Sequence, residues 1–130
     1  MIELDSIERT YSDFSLNVSF SVRDDELVTL LGPSGSGKTT TLRIIAGFET
    51  ADRGSLKIGG TDVSRVPTRR RDIGYVFQDF TLFPHLNVGE NIGYGLRVHK
   101  VPRAERRRRV DELLELIGLA GFAERGVSTL

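Results

Sequence analysis

From Ser15 to Val22 the chain alternates, with Leu16, Val18, Phe20 and Val22 on one face and Ser15, Asn17, Ser19 and Ser21 on the other. A period of two with one apolar face predicts a half-buried β-strand. Residues 2 to 8 predict a second strand, with Tyr11-Ser12-Asp13 as the turn between them. After the polar turn Asp24-Asp25-Glu26, the run Leu27-Val28-Thr29-Leu30-Leu31 loses the alternation and predicts a strand buried on both faces, as in a parallel sheet. Helical spacing follows from Thr40 to Gly47, placing Leu42, Ile45 and Ala46 on one face and a glycine at the stop. Asp52-Arg53-Gly54 turns into a strand over 55–58, and a basic loop around Thr68-Arg69-Arg70-Arg71 leads to another predicted over 73–77. From Asn87 onward the pattern is helical. Pro102 suits a first turn, and Val110, Leu113, Leu114 and Ile117 recur at spacings of three and four before Gly118.

Between the apolar run and the first helix lies Gly32-Pro33-Ser34-Gly35-Ser36-Gly37-Lys38-Thr39, a complete GxxxxGK[ST] loop. Strand, glycine-rich turn and helix form the setting this motif needs, because successive backbone N–H groups of the turn and first helical turn must converge on a phosphate. Gly32, Gly35 and Gly37 permit backbone geometry and close phosphate approach that a β-carbon would obstruct. The loop predicts Lys38 as a cation for the β and γ phosphates and Thr39 as a hydroxyl ligand for Mg²⁺. Ser34, Ser36 and Thr40 offer further hydroxyls, or serve simply as small turn and helix-start residues.

Composition narrows the class only a little. The 130 residues suffice for one domain, and 18 basic residues balance 18 acidic ones, so no net field favours nucleic acid. The run Arg106-Arg107-Arg108-Arg109 precedes Asp111, Glu112 and Glu115 on an amphipathic helix, which reads as a solvated face. There is no cysteine, which excludes a disulfide framework and agrees with a reducing compartment. The acidic start Met1-Ile2-Glu3-Leu4-Asp5 is unlike a signal peptide, and no apolar run reaches the roughly 18 residues of a membrane span. His85 and His99 are isolated and read as structural or solvent-facing.

The pattern extends beyond the loop. Arg71 to Ile92, containing Tyr75-Val76-Phe77-Gln78-Asp79-Phe80-Thr81-Leu82-Phe83-Pro84-His85-Leu86, resembles the glutamine-loop region of ABC-transporter ATPase subunits of importer type. With the phosphate loop and Leu42-Arg43-Ile44-Ile45-Ala46-Gly47, this resemblance covers nearly the whole chain. It implies an α/β P-loop NTPase fold, a RecA-like core with an antiparallel β subdomain. Residues 1–86 would be the β subdomain and phosphate-loop part of the core, and 87–130 the start of a helical subdomain.

The resemblance also implies roles. Gln78 would sense the γ phosphate through Mg²⁺ and the attacking water. Tyr11 would stack on adenine. The segment Phe80 to Asn91 would dock transmembrane permease subunits, while a second ATP-binding subunit would complete a dimer sandwiching two ATP molecules. Such a protein works at the cytoplasmic face of a membrane, coupling ATP to uptake of a metal ion, inorganic anion, polyamine or sugar. The family's signature motif, magnesium-binding Asp, catalytic Glu and switch His do not occur in these residues, and Leu130 would be the first letter of the signature. The resemblance is thus to an amino-terminal part, expected to hold ATP and Mg²⁺ but to hydrolyse very slowly alone, with an exposed edge along residues 27–31 that makes it marginal or aggregation-prone. A noncatalytic nucleotide-binding or interaction module is the rival reading.

Overall fold

A computed structural model describes residues 1–79 and 82–129. They fall into two compact units, Met1–Val76 and Phe77–Leu130.

The first unit is built on strands β1 (Ile2–Thr10), β2 (Ser15–Val22), β3 (Arg53–Ile58) and β4 (Thr61–Asp62), all antiparallel, in the order β2-β1-β3-β4. β1 and β2 form a hairpin closed where the Tyr11 N–H donates to the Phe14 carbonyl at 2.7 Å. The alternation of β2 is realised as predicted, with Leu16 buried and Val18, Phe20 and Val22 partly buried. Helix α1 (Lys38–Ala46) adds Ile44 to a core of Leu4, Ile7, Leu16, Leu56 and Val63. Each fully buried Leu or Ile there contributes about 1.5–3 kcal/mol of apolar transfer. Leu56 is 1% exposed, so Leu56→Ala would cost about 2–5 kcal/mol.

Helix α1 ends where expected, and its buried face matches the one spacing suggested only in part. Thr41, Ile44 and Ala46 are buried, Leu42 is 46% exposed, and Ile45 is only partly covered. Of the predicted stripe, Ala46 is buried and Ile45 packs against the core of the first unit, but Leu42 stays exposed and Ile44 enters the core instead. Gly47 caps the helix in the left-handed region at φ 82°, its N–H turning back to the Arg43 and Ile44 carbonyls. A β-carbon there would meet Arg71 Nε at 2.7 Å, so both conformation and space require glycine.

Two predicted strands are not formed. Neither residues 27–31 nor 73–77 belong to a strand, and Leu27 and Val76 are each 95% exposed. An apolar run is necessary for a buried strand but not sufficient, because a strand exists only by pairing its N–H and C=O groups with a neighbour. None of the four strands pairs with either run. Leu31, at 89% exposed, accordingly presents the apolar surface expected of an unpaired parallel strand.

The second unit contains α2 (Val88–Ile92), α3 (Tyr94–Val98) and α4 (Arg103–Leu116). Its core is Val88, Val110 and Leu114, against which Ile92, Leu119, Ala123 and Val127 pack. Leu113 and Ile117, on the predicted apolar stripe of α4, remain 46% and 60% exposed. Pro102 stands at the N-cap of α4, one residue before the helix. The arginine run is a solvated face: Arg108 pairs with Glu112 at 2.6 Å and Arg109 with Glu105 at 2.5 Å, both four residues apart. Among the described residues no helix is long and apolar enough to cross a membrane.

Candidate functional site

The phosphate-loop residues form a turn at the amino end of α1. Ser34 and Gly35 make its bend, the Ser36 N–H donates to the Pro33 carbonyl at 3.3 Å, and Gly37 is the N-cap residue. Gly37 sits in the left-handed region at φ 91°, and a β-carbon would lie 2.8 Å from Leu16 Cδ1 and 3.0 Å from Phe14 Cζ. The first helical turn is therefore pressed onto β2. Gly35 has φ 81° but open space around it, so conformation alone selects glycine there. At Gly32 a β-carbon would approach Ser36 Oγ at 2.7 Å.

No side chain caps α1, and no acidic residue occupies its first turn. Among the described residues its first N–H groups and the positive end of its dipole thus meet no capping side chain and no first-turn carboxylate, the electrostatic condition for an anion. Thr41 Oγ1 turns inward instead and donates to the Gly37 carbonyl at 2.9 Å, locking the turn from beneath.

Lys38 closes the loop from above. Its ammonium donates to the carbonyls of Gly32 at 2.8 Å and Pro33 at 2.7 Å and reaches Ser36 Oγ at 3.4 Å. Thr39 is exposed and Thr40 partly buried. Ser34, Ser36, Lys38, Thr39 and Thr40 are thus gathered on a single turn with an uncapped helix end. This donor set suits a polyphosphate, and a threonine hydroxyl suits Mg²⁺, which takes few protein ligands and completes its octahedron with phosphate oxygens and water. Among the described residues no group of three or more His, Asp or Glu side chains could hold a metal by itself.

Tyr11 lies in the first unit just past the end of β1, 37% exposed. Its ring is nearly parallel to Phe14, with centroids 6.2 Å apart and planes 26° apart, and the Arg9 guanidinium stands over it at 5.2 Å. Gln78 belongs to the second unit, exposed on a stretch without regular secondary structure.

Of the predicted docking segment, Phe80 and Thr81 lie outside the described residues, as does Leu130. From Leu82 onward the segment is well tied. Asn91 donates its amide to the carbonyls of Phe83, Leu86 and Asn87 at 3.2, 3.2 and 2.9 Å, while its Oδ1 accepts the Phe83 N–H at 2.8 Å. Asn87 starts α2 with a reciprocal capping box to Glu90. The Phe83 ring stacks on Tyr94 at 4.4 Å, yet Phe83 and Leu82 remain 37% and 49% exposed.

Two supports escaped the sequence reading. Arg71, only 7% exposed, donates from Nη1 to the Ile44 and Ile45 carbonyls at 2.7 and 2.8 Å and from Nε to the Val66 carbonyl at 2.7 Å. It thereby satisfies carbonyls at the end of α1, and burial pulls its pKa down from the ordinary guanidinium value. The other is a cluster in which Arg9 bonds Asp52 at 2.6 Å and Glu49 at 3.1 Å, and Asp52 also accepts the Thr10 N–H at 2.8 Å. The Thr10 N–H and then Arg9 hold the Asp52 carboxyl below its usual range. In sequence these residues are scattered charges among many, and only the surplus of arginine in the basic loop hinted at Arg71.

Residues 16–130 match the ABC transporter family model. The chain is 51% identical over 119 residues, 90% of its length, to 33% of the sulfate/thiosulfate import ATP-binding protein CysA of Mycolicibacterium paratuberculosis. It is 48% identical over 114 residues, 88% of its length, to 33% of the Fe(3+) ions import ATP-binding protein FbpC of Pasteurella multocida. With the spermidine/putrescine import ATP-binding protein PotA of Roseobacter denitrificans it shares 45% identity over 131 aligned positions, 99% of this chain and 36% of that protein. The chain therefore spans about a third of the length of these curated relatives. Its fold matches the ATP-binding cassette MJ0796, solved as a dimer in a post-hydrolysis state bound to ADP and Pi, with TM-score 0.84 and 31% identity over 100% of this chain and 63% of that one. The antiparallel sheet, the phosphate-loop turn opening α1 and a family match covering residues 16–130 lead to one assignment: the chain belongs to the ABC transporter family.

Proposed function

We propose that this chain is the ATP-binding part of an importer ATPase, holding MgATP and coupling its binding and hydrolysis to uptake of a solute such as an inorganic anion, metal ion or polyamine. The observation that carries this reading is the turn Gly32–Thr39 closed over the uncapped amino end of α1, with Lys38 within 2.8 Å of the Gly32 carbonyl. In this reading Lys38 would exchange its carbonyl partners for β and γ phosphate oxygens, Thr39 would offer its hydroxyl to Mg²⁺, and Ser34, Gly35, Ser36, Gly37 and Thr40 would supply N–H and hydroxyl contacts. Tyr11 offers a flat aromatic face to the adenine. Gln78 would be the residue whose amide carbonyl senses the γ phosphate through Mg²⁺.

The segment from Phe80 to Asn91 receives the membrane permease subunits, placing the protein at the cytoplasmic face of the membrane, and a second ATP-binding subunit closes the nucleotide sites. Support for the docking surface is the exposure of Leu82 and Phe83 on a backbone pinned by Asn91: an apolar tip on a rigid base suits a recognition surface. By itself the chain is expected to bind nucleotide and turn it over very slowly.

Calorimetric titration with MgATP, paired with steady-state phosphate release, tests this. Micromolar binding lost in Lys38→Ala supports the reading. Failure of the wild-type chain to bind ATP would refute the nucleotide site, and rapid Lys38-dependent turnover would refute the expected hydrolytic deficiency.

A further inference from the structure

Tyr11 follows a strand and precedes the bends at Ser12 and Asp13, a place where an exposed side chain ordinarily samples several rotamers. Here it does not stand alone. Arg9 lies near the end of β1 and Tyr11 just past it, and the guanidinium carbon stands over the ring, 5.2 Å from its centroid. Phe14, with its centroid 6.2 Å away, is at the long end of offset stacking.

Arg9 is itself held on two sides. Nη1 donates to Asp52 Oδ1 at 2.6 Å and Nη2 to Glu49 Oε1 at 3.1 Å, which fixes the plane of the guanidinium. Its Nε is buried with no hydrogen-bond partner among the described residues, so the orientation is set by the two carboxylates and the ring. Asp52 is anchored in turn: its Oδ2 accepts the Thr10 N–H at 2.8 Å, and its own N–H donates to the Glu8 carbonyl at 2.7 Å. Glu49 is anchored to the end of α1, with its N–H donating to the Arg43 carbonyl at 3.2 Å. The interaction with the Tyr11 side chain, and then that with Asp52, raise the Arg9 pKa above its ordinary value.

We propose that Arg9 is the positioning residue of the base platform, holding the Tyr11 ring in the orientation in which adenine stacks on it. The proposal rests on the reading of Tyr11 as the stacking residue. It explains why a guanidinium over the ring is clamped by two carboxylates when one would neutralise it. Helix α1 then serves the nucleotide at both ends, carrying Lys38 and Thr39 at its start and, through Glu49 and Arg9, the base platform beyond its finish. A ring already ordered loses less entropy when the base arrives.

The test compares affinity for MgATP with affinity for magnesium tripolyphosphate, which has the phosphates and no base, by calorimetry on the full chain. The ratio of the two dissociation constants reads the base contribution. Tyr11→Ala is expected to abolish the preference for ATP. Arg9→Leu is expected to reduce it about 3- to 10-fold, the scale of a partly desolvated cation–π contact, with tripolyphosphate binding unchanged. Asp52→Asn, which keeps the guanidinium but loosens its clamp, should shift the ratio the same way and serves if Arg9→Leu does not fold by circular dichroism. If Tyr11→Ala removes the preference while folded Arg9→Leu and Asp52→Asn retain it, the positioning role is overturned and stacking stands. If Tyr11→Ala retains the preference, the stacking assignment fails and takes the positioning role with it. Equal losses toward ATP and tripolyphosphate in Arg9→Leu would make Arg9 a structural residue only and overturn the proposal.

Discussion

The Lys38 ammonium donates to the main-chain carbonyl of Gly32 at 2.8 Å, so the residue proposed to bind phosphate also closes the loop that would cradle it. A nucleotide must draw the lysine away from Gly32 and Pro33, and the exchange favours the ligand because a phosphate oxygen carries charge where a carbonyl carries only a dipole. Lys38→Ala is therefore expected to weaken MgATP binding by about 1.5–3 kcal/mol, roughly 10- to 150-fold in Kd by calorimetry. An unchanged Kd would show that the lysine stays with the carbonyls.

Gly37 and Gly35 separate two costs that the motif merges. Both have positive φ, 91° and 81°, but only at Gly37 does a β-carbon meet neighbours, Leu16 and Phe14. Gly35→Ala should lose about 1–2 kcal/mol through conformation alone, whereas Gly37→Ala should lose that and a further about 1–3 kcal/mol from overpacking against β2. Thermal denaturation of the two variants checks the order.

Arg71→Met keeps the apolar stem but removes the donors to Ile44, Ile45 and Val66. The buried carbonyls at the end of α1 would lose their partner, and a destabilisation of about 2–4 kcal/mol is expected. Arg71→Lys should not restore it, because one ammonium cannot span carbonyls on both sides of a planar fork. Full recovery of the melting temperature in Arg71→Lys would contradict this account.

The acid side of the stability profile should carry the signature of Asp52. Its folded pKa lies below the unfolded value, so the stabilisation is present above the ordinary carboxylate pKa, about 4, and is lost as pH falls through the lower folded value. Asp52 is 40% exposed, which makes the effect small and salt-sensitive. Urea midpoints of wild type and Asp52→Asn are expected to differ near neutrality and to converge as pH falls below the ordinary carboxylate pKa; a constant gap would exclude this linkage.

The amide of Asn91 holds the predicted docking segment from within. Asn91→Asp retains an acceptor for the Phe83 N–H but turns a carboxylate toward the carbonyls of Phe83, Leu86 and Asn87. Hydrogen exchange at residues 83–87 is expected to accelerate about tenfold or more, corresponding to at least about 1.4 kcal/mol of lost local stability. Protection equal to wild type would mean that the Phe83 stack on Tyr94 suffices.

Much of this was legible in the chain itself. The strand at Ser15–Val22, the helix stop at Gly47 and the phosphate loop depend on periodicity and on residues chosen for local backbone geometry, which act over a few positions. The family resemblance carried by Tyr75 to Leu86 required only the order of residues. What sequence could not give was partnership. Leu27–Leu31 has the composition of a buried strand, but a strand exists only through a pairing partner, and among the described residues none pairs with it. Leu42 fits an apolar helical stripe yet stays exposed, while Ile44 enters the core of the first unit, because close packing selects shape as well as hydrophobicity. Likewise the tasks of Arg9 and Arg71 arise from carboxylates and carbonyls tens of residues away, brought near only by folding. Local geometry determined the phosphate loop from sequence alone. Tertiary structure decided which charges brace the end of α1 and the Tyr11 ring and which apolar runs are covered, since those outcomes depend on pairwise contacts that no single stretch of chain contains.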